Sequence, residues 1–154
     1  MKIFIIIILN LIVLWIAFEY KKVNKMKIEF YNSAYYFTND LIAHIGFNKN
    51  TISEVFKSNS ANYSLPFKGA VESYLTNSKV LKSTCLNNEE TIQIQEFLNS
   101  IGKYDIDGAI NNLTFYKLKF EQKYELLKQN FTKKVEPIFK IIIILGLALS
   151  VLII

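Results

Sequence analysis

The sequence predicts an all-α fold, a small antiparallel bundle of about five or six helices flanked by N- and C-terminal transmembrane helices. Two stretches, residues 28–45 and 113–138, repeat apolar side chains at steps of mostly three and four, the period of an amphipathic helix. Both ends of the chain are apolar, and no alternating strand pattern extends beyond four residues. We therefore expect one helical domain between two membrane segments.

The charge pattern favours a membrane protein over a nucleic-acid-binding protein. The net charge is +5, and all 18 basic residues are Lys. The absence of Arg argues against a site built on bidentate recognition of phosphate or carboxylate groups. Lys residues near a membrane set topology and contact the charged lipid surface. We therefore predict the membrane as a partner and no nucleic-acid partner.

Residues 1–20 are predicted to form the first transmembrane helix. Residues 3–18 are apolar except for Asn10, and as a helix they would extend about 24 Å against a hydrocarbon core of about 30 Å. The alternative is a signal peptide, which carries positive charge before its apolar run and a small-residue cleavage site after it. Here Lys21 and Lys22 follow the run and no Ala-x-Ala sequence occurs, so a retained helix is favoured.

Residues 28–45 show the clearest amphipathic pattern in the chain. Their stripe has heptad spacing and comprises Ile28, Tyr31, Tyr35, Thr38, Ile42 and Ile45, widened by Phe37 and Leu41. Because the pattern covers fewer than three heptads, a helix within a bundle is favoured over a free coiled coil. Gly46 and the Asn-containing turn at residues 48–50 are expected to end this helix.

Two shorter helices are predicted next. Thr51 and Glu54 have the spacing of a capping box, and Pro66 suits the first turn of the second helix. The apolar residues are Ile52, Val55 and Phe56 in the first helix and Phe67, Ala70, Val71, Tyr74 and Leu75 in the second. Residues 58–64 are polar and predict a loop, whereas residues 77–84 are compatible with a brief helix or a buried connector.

The last third of the chain organises the predicted bundle. Asn87 or Asn88 caps a helix, and Glu90 lies at the capping-box distance from Asn87. Gly102 supplies a left-handed stop, and Asp105 caps the long helix that follows. The inward stripe of that helix is Leu113, Phe120, Tyr124, Leu127, Phe131, Val135 and Ile138.

The second transmembrane helix is predicted over residues 138–154. Pro137 is the first strong breaker after the Gly102 turn, and the residues after Lys140 carry no charge. Lys133 and Lys134 precede this span, while a Lys cluster follows the first span. The positive-inside rule therefore places the helical domain, residues 21–137, in the cytoplasm.

No residue pattern predicts catalysis. His44 is the only His, whereas zinc sites need three or four ligands. Cys85 has no CxxC partner, so a buried thiol is favoured over a nucleophile. Carboxylates at residues 89–90 and 105–107 are explained by helix N-termini. We predict no catalytic residue, no metal, no cofactor and no small-molecule substrate, and therefore no enzymatic activity.

The order of motifs in the last third resembles the stage III sporulation protein AB family. The matching positions are Leu86, Glu89, Phe97, Leu98, Gly102, Asp105 and Gly108, followed near the end by Leu145, Gly146, Leu147 and Ala148. A weaker similarity covers Leu41, Ile45, Phe47, Thr51, Ile52 and Phe56. There the chain has His44, Phe47 and Ile52 where the family has Glu, Tyr and Leu, and it lacks the family's Pro.

The resemblance implies a non-enzymatic membrane platform or assembly component of the mother-cell-to-forespore secretion-like channel needed for endospore formation. The family is similar to the F-type platform protein of type II secretion, whose cytoplasmic domain is a small helical bundle. Implied partners are a cytoplasmic ATPase and other stage III sporulation channel proteins, and a homo-oligomer is also compatible. The implied location is the mother-cell membrane facing the forespore. The alternative is a two-span membrane anchor or regulator of a cytoplasmic signalling partner.

Four residues of the long C-terminal helix are candidates for partner binding. They are Tyr116 and Tyr124, with Lys119 and Lys123 beside them. Aromatic anchors supply much of the energy of a protein interface, and a basic rim would attract an acidic partner. The alternative is that each Tyr packs in the core of the bundle.

Overall fold

The chain is helical through most of what the structure describes. The computed structural model describes residues 2–45, 52–76 and 80–153. These ranges contain six α-helices, a short 3₁₀-helix and a π-helical segment, and no β-strand occurs in them. The predicted all-α fold is therefore confirmed.

The six α-helices are α1 (Lys2–Ile45), α2 (Ile52–Asn59), α3 (Leu65–Thr76), α4 (Asn88–Ser100), α5 (Ile106–Asn130) and α6 (Glu136–Ile153). The 3₁₀-helix Ser60–Asn62 follows α2, and the π-helical segment Phe131–Val135 joins α5 to α6.

The chain folds as two compact units. The terminal unit consists of Met1–Lys25 and Leu126–Ile154, and the central unit is Met26–Glu125. Helix α1 contributes to both units because it runs without a break from Lys2 to Ile45. The two helical patterns predicted over residues 1–20 and 28–45 thus lie on one continuous helix, since residues 19–27 contain no Gly or Pro that would interrupt it. The domain boundaries placed at residues 21 and 138 stay predictions.

The core of the central unit is aromatic. Phe37 of α1 is fully buried, and its ring centroid lies 5.6 Å from that of Phe67 on α3 and 6.5 Å from that of Phe97 on α4. Phe97 packs edge-on against Phe120 of α5, with 5.0 Å between the ring centroids. Edge-to-face pairs of this kind add a favourable electrostatic contribution to the burial of apolar area. Helix α1 is thus the element against which α3, α4 and α5 pack.

Helices α1 and α5 are antiparallel within the central unit. Lys117 Nζ donates to Asn39 Oδ1 at 2.8 Å, whereas Lys123, further along α5, lies over the ring of Tyr31, earlier on α1, at 5.7 Å from its centroid. Residues later in α5 therefore contact residues earlier in α1, which is the order expected of antiparallel helices.

The buried face of α1 differs from the predicted stripe by about one position. Tyr31, Thr38, Phe37 and Leu41 are buried as predicted, but Tyr35, Ile28 and Ile42 are only half-buried, and the side chain of Ile45 lies outside the described part. The innermost residues include Phe30 and Ala34, which the heptad pattern did not select. Phe30 is inside because its ring contacts that of Phe67 on α3, at 5.3 Å between centroids.

The segment from α2 to α3 is more helical than predicted. The polar residues 58–64, expected to be a loop, continue α2 to Asn59 and then form the 3₁₀-helix. Pro66 lies in the first turn of α3, as predicted, where its missing N–H has no intrahelical partner to lose. The predicted cap at Thr51 and the turn at residues 46–50 lie outside the described residues. Of the ambiguous connector, residues 80–84 are non-helical, and Leu81 is buried.

Pro137 does not end the helix that precedes it. The chain passes from α5 through the π-helical segment into α6, and the N–H of Glu136 donates to the carbonyl of Phe131, five residues back. A proline ring clashes with the carbonyl four residues earlier in a regular α-helix. The wider π-turn directly before Pro137 provides local room for this ring, so the helix continues instead of breaking.

The terminal unit pairs the first part of α1 with α6 in antiparallel orientation. The rings of Phe18 and Phe139 are 5.2 Å apart between centroids, and Gly146 packs beside Asn10. A Cβ atom on Gly146 would lie 3.1 Å from Asn10 Oδ1, so glycine permits this close approach. Within the part of the chain that the structure describes, no helix is both long enough and apolar enough to cross a membrane. The two transmembrane helices therefore stay predictions.

Candidate partner-binding surface

Helix α4 begins with the capping box that its sequence predicts. Asn87 Oδ1 accepts a hydrogen bond from the Glu90 N–H at 2.8 Å, and Glu90 Oε2 accepts one from the Asn87 N–H at 3.1 Å. These two bonds satisfy backbone donors that would otherwise lack partners at the start of the helix. The capping residue is therefore Asn87, and Asn88 is the first helical residue.

Glu90 also joins three helices through two ion pairs. Its carboxylate oxygens lie 2.7 Å from Lys27 Nζ of α1 and 3.1 Å from Lys123 Nζ of α5, and its side chain is only 8% exposed. Burial by itself would raise the pKa of Glu90, but hydrogen bonds from Lys27, the Asn87 backbone and Lys123 outweigh it and hold the pKa below its usual value. A buried carboxylate paired in this way remains charged near neutral pH.

The turn between α4 and α5 depends on two glycines with different roles. Gly102 has a φ angle of 83°, in the left-handed region that glycine adopts without steric cost. Asp105 Oδ1 accepts a hydrogen bond from the Gly108 N–H at 3.1 Å, which confirms Asp105 as the cap of α5. A Cβ atom on Gly108 would lie 2.6 Å from that same oxygen, so only glycine fits beneath this cap without a shift.

The motif residues that carry the family resemblance lie mostly in the packing and capping of this helical hairpin. Phe97 and Leu98 are buried on the inner face of α4, and Leu86 is half-buried just before the cap. Glu89 is exposed in the first turn of α4. The motif positions near the end, residues 145–148, are in the terminal unit, where Gly146 packs beside Asn10.

The four candidate partner-binding residues occupy different environments. Tyr116 is half-buried, its ring is 4.9 Å from Phe97 between centroids, and burial raises the pKa of its hydroxyl. Lys123 pairs with Glu90, and Tyr124 is half-buried. Lys119 is exposed, with its Nζ 5.8 Å from the Tyr116 ring centroid. Whether any of these residues binds a partner remains a prediction.

Two exposed apolar residues on α5 were not among the sequence candidates. Phe115 is 61% exposed and Leu118 is 53% exposed. They are three residues apart and so share a face of the helix, with Lys119 next to them. The sequence could have indicated them, because helical spacing puts these two large apolar residues on the face opposite the predicted inward residues Leu113 and Phe120. We call Phe115, Leu118 and Lys119 the outer strip of α5.

The residues considered for chemistry lie in structural surroundings. His44 Nδ1 is 2.8 Å from the carbonyl oxygen of Asp40, one helical turn earlier. Cys85 is buried, and burial raises the pKa of its thiol, which disfavours the reactive thiolate. Among the residues described here, no group of three or more His, Cys, Asp and Glu side chains could hold a metal ion.

The six α-helices, with α1, α4 and α5 joined by the ion pairs of Glu90, define an all-helical bundle protein. The sequence pattern of the stage III sporulation protein AB family matches residues 62–154, more than half of the chain. The chain therefore belongs to the stage III sporulation protein AB family, and membership implies a role at stage III of sporulation. No curated protein matches the chain, and no solved structure matches it.

Proposed function

We propose that this protein is a non-enzymatic membrane platform of the secretion-like channel between mother cell and forespore. The observation that carries the proposal is the family match over residues 62–154, which includes α4, α5 and α6. The proposed location is the mother-cell membrane facing the forespore, with residues 21–137 in the cytoplasm. The proposed partners are a cytoplasmic ATPase and other stage III channel proteins.

Placement in a membrane is supported by the exposed surface of the terminal unit. Large apolar side chains face outward on the first part of α1 and on α6, with Trp15 66% exposed and Ile144 63% exposed. Exposed apolar surfaces of this extent on a helix pair are uncommon in a protein surrounded by water. A lipid environment would cover both helices without further protein.

The outer strip of α5 is the proposed docking surface for the ATPase. Phe115 and Leu118 would lose their contact with water on binding, and Lys119 would pair with an acidic group at the rim. Lys123 is assigned to the fold instead, because its ammonium neutralises buried Glu90. Phe115 and Leu118, the side chains expected to supply most of the binding energy, then lie on one face of α5.

Deletion and complementation test the proposal. A strain without the gene should stop after engulfment, and the intact gene should restore spores. A chain with Phe115→Ala and Leu118→Ala should fold but capture less of the ATPase in co-purification and yield fewer spores. The matched control is Leu65→Ala with Ile92→Ala, which removes two apolar side chains that are also exposed in the central unit.

The outcomes separate the function from the docking surface. If the deletion strain makes normal spores, the platform proposal fails and the anchor or regulator alternative becomes the better one. If deletion blocks sporulation but the Phe115 and Leu118 variant captures the ATPase as well as its control does, the docking surface is elsewhere.

A further inference from the structure

The positive charge of the chain is concentrated in the terminal unit. Of the 18 Lys residues, eight lie in Met1–Lys25 and Leu126–Ile154, together with only two of the 13 acidic residues, Glu19 and Glu136. The formal charge of the terminal unit is therefore +6, whereas that of the central unit is −1. The excess charge lies on the unit that also exposes the large apolar faces.

Six of these Lys residues lie next to the apolar faces. They are Lys21, Lys22 and Lys25 on α1, Lys133 and Lys134 in the π-helical segment, and Lys140 on α6, and we call them the basic collar. The Phe18–Phe139 contact sets the level of the two antiparallel helices. Lys21, Lys22 and Lys25 follow Phe18 by three to seven residues, and Lys133 and Lys134 precede Phe139 by six and five. At the rise of an α-helix, these separations place the five residues about 5–10 Å from that contact along the helix axes. Lys21, Lys22, Lys25, Lys133 and Lys134 thus lie on the same side of that contact, and Lys140 lies directly beside it, one residue after Phe139.

Five of the six collar residues are exposed, and the terminal unit contains only two acidic residues. The Lys22 side chain is 64% exposed, and Lys25, Lys133, Lys134 and Lys140 are exposed as well. Glu19 lies 3.4 Å from Lys22 Nζ, and Glu136 is half-buried at the start of α6. The six collar Lys residues therefore outnumber the two acidic residues of the terminal unit.

Lys21 shows how the collar continues the apolar surface. Its Nζ lies 4.7 Å from the centroid of the Phe139 ring, and the residue is half-buried. A lysine in this position covers apolar surface with its methylene stem and holds its ammonium at the polar edge. Such side chains are typical of the boundary between hydrocarbon and lipid headgroups.

We infer that the basic collar binds the headgroups of anionic phospholipids, with the adjoining apolar faces of α1 and α6 in the hydrocarbon. The inference rests on the membrane placement in the proposed function and adds a lipid class to it. Exposed Lys residues next to a bilayer are attracted by its anionic lipids, and the attraction extends about one Debye length. A bilayer is favoured over a nucleic acid because the collar borders a broad apolar surface, which a polyphosphate would leave exposed to water.

The single Trp of the chain makes the inference measurable. Trp15 is 66% exposed on α1, about two turns before the collar residues Lys21 and Lys22. Full-length protein is reconstituted into bilayers of phosphatidylcholine and phosphatidylglycerol in which only one of the two lipids carries brominated acyl chains. Quenching of Trp15 fluorescence then reports how often each lipid lies beside the helix.

Brominated phosphatidylglycerol should quench more strongly than brominated phosphatidylcholine at equal mole fraction, by about twofold or more at low salt. Substitution of Lys22, Lys25, Lys133 and Lys134 by Gln should remove this preference. The control carries Gln at Lys57, Lys68, Lys82 and Lys103 of the central unit, which changes the net charge equally. It should keep the preference, and added salt should weaken the preference of the native chain.

Three other outcomes would overturn the inference. Equal quenching by both lipids would refute the collar and leave the membrane placement intact. Loss of the preference in the control variant as well would show an effect of net charge alone. Absence of quenching by either lipid would refute the membrane placement itself, and the inference with it.

Discussion

Lys27 Nζ lies 2.7 Å from Glu90 Oε2, and this pair joins the middle of α1 to the first turn of α4. The same carboxylate accepts a hydrogen bond from the Asn87 backbone, so one side chain serves both as a helix cap and as a link between helices. Its second oxygen faces Lys123 of α5. The two ion pairs that join α1, α4 and α5 therefore depend on the charge of Glu90.

Replacement of Glu90 by Gln should destabilise the protein at neutral pH by roughly 1–3 kcal/mol, since two ammonium groups lose their charged partner. The matched change is Glu89→Gln, which removes an exposed carboxylate from the same helical turn and loses the same interaction with the helix dipole. Denaturant unfolding of the full-length chain in detergent, followed by circular dichroism, measures both. Equal losses would mean that the ion pairs add no stability.

The contribution of Glu90 should depend on pH in a defined direction. Its pKa is lower in the folded chain than in the unfolded one, so the stabilisation is complete above the unfolded value, about 4.3. It is lost as the pH falls through the lower folded pKa. The difference in unfolding free energy between the native chain and the Glu90→Gln variant should therefore be constant near neutral pH and shrink below about pH 4. A difference that grows on acidification would contradict this assignment.

Lys123 and Lys119 should differ in their effect on stability although they lie one helical turn apart. Lys123→Met removes an ammonium 3.1 Å from buried Glu90 and should cost about 1 kcal/mol, whereas Lys119→Met at an exposed position should change stability by at most about 0.5 kcal/mol. In the Glu90→Gln background the cost of Lys123→Met should fall, because the pair is already broken. Additive losses in the double variant would show that the two residues do not interact.

Local signals predicted the α4–α5 hairpin well, because each of them is contained in a few residues. The Asn87–Glu90 capping box, the left-handed Gly102 and the Asp105 cap are all present. The buried link from Glu90 to Lys27 and Lys123 was not predicted, since no local pattern relates residues on three different helices. The pairing depends on tertiary packing.

The buried face of α1 shows a second limit of sequence patterns. The sequence from residue 28 to 45 is apolar or aromatic on more than one face, so several stripes of similar quality exist. Phe30 lies inside because α3 places Phe67 against it, whereas Ile28 is only half-buried. Which face of such a helix is buried depends on the neighbours it meets.

Phe37 should be the most sensitive aromatic residue of the central unit. Its ring contacts Phe56, Tyr63, Phe67 and Phe97, and the residue is fully buried. Phe37→Ala should cost about 3–5 kcal/mol, because it removes apolar area and leaves a cavity among four rings. Tyr36→Ala, at an exposed neighbouring position, should cost far less in the same unfolding experiment. Comparable losses would mean that the register of α1 is wrong.

Asp105 and Gly108 should behave as a coupled pair at the start of α5. Gly108→Ala should destabilise the protein, because the new Cβ would meet Asp105 Oδ1 at 2.6 Å and Tyr104 Cβ at 3.2 Å. Asp105→Ala removes the cap and should cost about 1 kcal/mol, but it also removes the closer of the two obstacles. Gly108→Ala should therefore cost less in the Asp105→Ala background than in the native chain.

The control for this prediction is Gly69→Ala in α3, where a Cβ would meet nothing within 4 Å. The higher helix propensity of Ala should there raise stability by up to about 1 kcal/mol. If Gly108→Ala costs the same with and without Asp105, the contact with the cap is not what requires glycine at this position.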